Sequence, residues 1–70
     1  MKIMEEIIGM NAGKVWTQLN ASGRQNVKDL RKAIKLREKD LYAALGWLAR
    51  EGKLCFEEEE NGKELYVSLK

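Results

Sequence analysis

Between Leu54 and Leu69 apolar and polar side chains alternate on both sides of Asn61-Gly62, two residues that tolerate the positive φ of a type I′ turn. This is the pattern of a β-hairpin. With those two residues as the loop, Glu60 lies opposite Lys63, Phe56 opposite Val67 and Leu54 opposite Leu69. Leu54, Phe56, Leu65, Val67 and Leu69 then share one face, and Cys55, Glu57, Tyr66 and Ser68 the other, so turn chemistry and pleat agree on one register. Glu59 opposite Glu64 is the one unfavourable pair. A lone hairpin is marginal in water, so its apolar face has to rest on something else.

The rest of the chain supplies helices for that purpose. Met4, Ile8, Ala12, Val15 and Leu19 recur at helical spacing, and the polar cluster Asn20 to Gly23 is a stop signal. Gly9 and Gly13 fall inside this first helix, where they either loosen it or let another element come close. Asn26 is a suitable N-cap for a second helix, with Asp29 placed as in a capping box. Val27, Leu30, Ala33 and Ile34 form the expected buried stripe of that helix. After Lys35 and Leu36, residues Glu38 to Glu51 read as a third helix that buries Leu41, Ala44, Leu45 and Leu48 and ends at Gly52. The expected architecture is therefore α+β: one domain over residues 1–70, three helices followed by a two-stranded antiparallel hairpin.

Seventy residues lie near the lower limit for a core without disulfides or metal, so a stability of roughly 4–8 kcal/mol is expected and self-association would add to it. Cys55, the sole cysteine, cannot form an internal disulfide and fits a reducing cytoplasm. No apolar run approaches the length of a membrane span, and Glu5 and Glu6 interrupt the apolar N-terminal stretch, so neither a membrane partner nor an exported protein is expected. Catalysis is not expected, because the chain has no histidine and no nucleophile placed beside a base. No cofactor, metal or small-molecule substrate is indicated either. The acidic run Glu57 to Glu60 alternates between the two faces of a strand, so its carboxylates do not converge on a cation.

Charge is distributed unevenly beneath a net value of +2. From Arg24 to Lys39 seven basic residues stand against Asp29 and Glu38, whereas from Asp40 to Glu60 six acids stand against Arg50 and Lys53. Lys28, Arg31, Lys32 and Lys35 fall on one side of the second helix at i, i+3, i+4 and i+7, and Arg37 and Lys39 extend the set towards the third. These six are the candidate nucleic-acid contacts, since cations at phosphates supply most of the affinity of such binders. The bland alternative is the solvated face of an amphipathic helix.

The segment VKDLRKAIKLREKDLYAALGWLAREGKL, Val27 to Leu54, resembles the winged helix-turn-helix superfamily, in particular its short, stand-alone bacterial members. Val27, Leu30, Ala33, Ile34, Leu36, Leu41, Leu45 and Leu48 carry the spacing, and Glu51-Gly52-Lys53-Leu54 leads into the wing. The resemblance implies that the third helix is the recognition helix and the hairpin the wing. Two departures stand out. Where DNA-binding relatives carry Ser, Thr, Arg or Lys, this chain has Tyr42, Ala43, Gly46 and Trp47, and Arg37 stands where a Ser or Thr cap is common.

Two functions of different class follow. One is a regulator-like nucleic-acid-binding protein that uses the second helix and the start of the third, with weak binding and a small salt dependence because the acidic wing repels a duplex. The other is a protein-interaction or dimerisation domain: Tyr42, Ala43, Gly46 and Trp47, with Trp16 or the Ile3 and Ile7 face of the first helix, form a second apolar stripe suited to a homodimer. The competing fate of Trp47 is to fold against the second helix or the wing of its own domain.

Overall fold

The computed structural model describes residues 4–59, 62 and 64–70, and its elements run α1 (Met4–Ser22), β1 (Gln25–Asn26), α2 (Val27–Ile34), α3 (Glu38–Arg50), β2 (Leu54–Glu58) and β3 (Leu65–Leu69). The strands form one antiparallel sheet of order β1-β3-β2. Its hairpin register is the expected one, with Leu54 opposite Leu69 and Phe56 opposite Val67. The Glu60–Lys63 pair and Asn61 lie outside the described residues. Gly62, at φ +69°, donates its N–H to the Glu59 carbonyl at 2.8 Å.

The sheet has one strand more than the hairpin. Gln25 and Asn26 pair with Val67 and Tyr66, which makes β3 the central strand and β2 an outer edge. Asn26 also caps α2: its Oδ1 accepts the Lys28 N–H at 2.7 Å, while its Nδ2 donates to the Glu64 carboxylate. One side chain thus ties the start of α2 to the root of β3, where a capping box with Asp29 was expected. It also draws the Glu64 carboxylate to a donor, easing the juxtaposition of Glu59 and Glu64, whose backbones pair at 3.1 Å.

Two glycines with positive φ end the long helices. Gly23 (φ +75°) donates back to the Leu19 carbonyl after α1, and Gly52 (φ +71°) donates to the Ala49 carbonyl after α3. Between α2 and α3 the left-handed position falls to Lys35 (φ 55°), whose N–H bonds the Arg31 carbonyl. The helix-turn-helix corner is therefore made by a side-chain-bearing residue.

Helix α1 contributes Ala12, Val15 and Leu19 to the core, α2 Val27 and Leu30, α3 Leu41, Ala44, Leu45 and Leu48, and the sheet Leu54 and Val67. Ile34, Leu36, Leu65 and Leu69 pack around its edge. Two expected core positions are not there. Ala33 is exposed, because α2 is only eight residues long and no element among the described residues covers that flank of its last turn. Phe56 lies 42% exposed although the pleat places it on the same side as Leu54, so the helices cover only the base of β2. The start of α1 is only partly covered: Met4 and Ile7 are exposed, Ile8 and Gly9 are half-buried, and full burial begins at Asn11 and Ala12.

Candidate nucleic-acid interface

Helix α2 sets three cations beside the first turns of α3. Lys28, Arg31 and Lys32 line a groove of about 280 Å³, whose apolar floor is Val27 and Leu41 and whose far wall is Glu38 and Tyr42. The spacing i, i+3, i+4 keeps the three on one side of α2, and buried Val27, Leu30 and Leu41 hold the two helices together beneath them. All three cations are exposed, and among the described residues none of them makes an ion pair within 4 Å. Arg31 Nη1 donates to the Leu36 carbonyl at 3.5 Å, a neutral partner, so no carboxylate competes at ion-pair distance with an incoming anion.

The other three expected cations do not join this groove. Lys35 occupies the left-handed corner and Arg37 the N-cap of α3, where its side chain caps nothing. Both are exposed, and neither lines the groove. Lys39 has turned to another side of α3, where with Asp40 and Ala43 it borders a hollow of about 230 Å³ beside Met4, Ile7, Ile8 and Asn11 of α1. The corner at Lys35 breaks the helical phase on which the sequence pattern relied.

Arg24, the first of the seven basic residues, is committed elsewhere. Its Nε lies 3.2 Å from Glu57 Oε1, and its guanidinium stands 4.2 Å from the centroid of the Tyr66 ring. Both charged side chains are about half exposed, so the pair contributes well under ~1 kcal/mol. Glu57, Glu58 and Glu59 are exposed on and just beyond the outer strand β2. One of these three carboxylates is paired with Arg24.

The expected apolar stripe of α3 divides between two sides of the helix. Tyr42, 48% exposed, belongs to the groove with α2. Trp47, 40% exposed, leans on α1 rather than on α2 or the wing: its Cζ2 lies 3.9 Å from where a Cβ on Gly9 would stand. With Trp16 it borders a hollow of about 340 Å³. That spacing is ordinary contact, so Gly9 admits Trp47 without being required for it. Ala43 is half-buried near α1, Gly46 faces open space, and Ile3 lies outside the described residues.

Three helices with this spacing, followed by a hairpin on a three-stranded sheet, have a counterpart in sequence. The family model for a winged helix-turn-helix domain (DUF2582) matches residues 1–69. The chain belongs to this winged-helix family. The solution NMR structure of protein BT2368 from Bacteroides thetaiotaomicron is similar to it, with 34% identity and a TM-score of 0.84 over 96% of this chain and 79% of that one. No curated protein matches the chain.

In this winged helix α3 takes the place of the recognition helix and the β2–β3 hairpin that of the wing. Ala43 and Gly46 offer nothing that hydrogen-bonds a base edge, and the wing's outer strand is acidic. The positive charge lies one element earlier, on α2. The helical spacing grouped the three cations but did not place Glu38 and Tyr42 beside them in the groove. The i, i+4 spacing of those two on α3 was the available signal. No helix among the described residues is long and apolar enough to cross a membrane. No group of three or more His, Cys, Asp or Glu residues among them is placed to hold a metal.

Proposed function

We propose that this winged helix is a non-catalytic, cytoplasmic binding module of regulator type that holds the backbone of a nucleic acid through α2 and the beginning of α3. The observation that carries this is the convergence of Lys28, Arg31 and Lys32 on one groove, where among the described residues none of them forms an ion pair within 4 Å and Glu38 is the one carboxylate in the lining. Arg37 and Lys35 flank it at the helix-turn-helix corner and add long-range attraction. Phosphate contacts of this kind position a nucleic acid without reading its sequence. Fluorescence anisotropy with a labelled oligonucleotide at several salt concentrations tests the proposal. Three phosphates neutralised correspond to a log–log salt slope of about −2 to −3. Absence of binding at every salt concentration, or binding indifferent to salt, contradicts it.

A second reading has its own observation. Trp16 and Trp47, each about two-fifths exposed, border one hollow at the α1–α3 junction, and Met4 and Ile7 lie exposed at the start of α1. Large exposed aromatics around one hollow are costly to leave wet and suit a homodimer contact. Light scattering on the wild type and on Trp47→Ala separates the cases. The dimer reading expects a mass of two chains for the wild type at high concentration and one chain for the variant. A single-chain mass for both ends it.

A further inference from the structure

We propose that the α2–α3 groove takes a base of a single-stranded nucleic acid, stacked on Tyr42, with the adjoining phosphates on Lys28, Arg31 and Lys32. This rests on the nucleic-acid reading above and specifies its ligand. Tyr42 is the one aromatic among the groove's lining residues, and almost half of its surface is open. A cationic channel with an exposed aromatic ring in its wall is the arrangement by which proteins hold unpaired strands, because every base has a face that stacks. In a duplex those faces are covered by neighbouring base pairs, and a side chain reaches only the base edges in the grooves. An exposed ring at Tyr42, with Ala43 and Gly46 where edge-reading side chains would stand, therefore favours a base already out of its stack.

Glu38 fixes the orientation. It sits one turn before Tyr42 on the same wall of the groove, opposite the three cations. Its carboxylate repels phosphates, which keeps the backbone on the α2 side. It accepts a hydrogen bond from an exocyclic amino group, as carboxylates do from cytosine N4, and so prefers an amino-bearing base beside Tyr42. The acidic wing acts in the same direction. A duplex lying along α3 meets the exposed Glu58 and Glu59, whereas a strand following the α2–α3 groove need not.

The test is anisotropy at low salt with a fluorescein-labelled mixed-sequence dodecamer, single-stranded and as a duplex, using the wild type, Tyr42→Ala and Tyr42→Phe. The strand is expected to bind more tightly than the duplex. Loss of the stacking ring in Tyr42→Ala weakens the strand by about tenfold or more, while Tyr42→Phe, which keeps a ring, stays within about threefold of the wild type. A deoxycytidine dodecamer is expected to bind more tightly than a thymidine one. A duplex bound as well as the strand, Tyr42→Phe as weak as Tyr42→Ala, or cytidine monophosphate bound as tightly as the strand overturns the assignment and leaves the phosphate-binding reading standing. Equal affinity for the two pyrimidine dodecamers overturns the role of Glu38. No binding of strand or duplex overturns both proposals together.

Discussion

Replacing Leu41 with alanine is expected to remove about 3–5 kcal/mol of stability, a large part of what a chain of this length has. Leu41 is fully buried in the first half of α3, among the side chains that hold α2, α3 and α1 together, and it forms part of the floor of the candidate groove. Truncation leaves a cavity that the short elements around it can close only in part. With a urea dependence of about 1 kcal/mol per molar, the midpoint falls by roughly 3 M or more, and much of the variant is unfolded near body temperature. Ala33→Ser provides the contrast. Ala33 shares the helical period of the core residues but is exposed, so its replacement by serine shifts stability by about 0.5 kcal/mol at most. Chemical denaturation of the two variants beside the wild type checks both values. A cost below about 1 kcal/mol for Leu41→Ala contradicts the core described above.

The hairpin and the helix order were legible because independent signals coincided. The alternation from Leu54 to Leu69 and the Asn61-Gly62 turn specified one register, and β2 and β3 pair in it. Strand β1 was not legible. It has only two residues, too short to show alternation, and it exists because β3 offers it an edge. The same fact explains Asn26, whose cap could be read from the sequence while its bond to Glu64 could not, since 38 residues separate the two. Ala33 and Phe56 show where periodicity overreaches. It reports the side on which a residue lies, not whether another element extends far enough to cover it.

The candidate site was legible to the same extent. Lys28, Arg31 and Lys32 belong to one unbroken helix, and the helical spacing that grouped them holds in space. Lys35, Arg37 and Lys39 were grouped across a corner whose geometry depends on the left-handed conformation of a single lysine. Tyr42 and Trp47 were grouped as one stripe because both point away from the core. Helices α1 and α2 flank α3 on different sides, and each claims one of them.

The second large effect concerns function. The triple variant Lys28→Gln, Arg31→Gln, Lys32→Gln takes three positive charges from the groove and turns the net charge from +2 to −1. The three side chains are exposed and form no ion pair among the described residues, and glutamine has a similar helix propensity. The folded state is accordingly expected to persist, less about 1 kcal/mol for cations lost from the last turn of α2. Nucleic-acid affinity is expected to fall by about a hundredfold or more at low salt, and the salt slope to shrink by about 2–3. A control with the same change in net charge removes three cations that do not line the groove, Arg50→Gln, Lys53→Gln, Lys70→Gln, of which Lys53 lies 3.7 Å from Glu51. The deciding measurement is the salt-dependent anisotropy titration of the two triple variants beside the wild type. The groove variant is expected to lose both affinity and slope while the control stays within a few-fold of the wild type. Equal losses in the two variants, or wild-type binding by the groove variant, would contradict it.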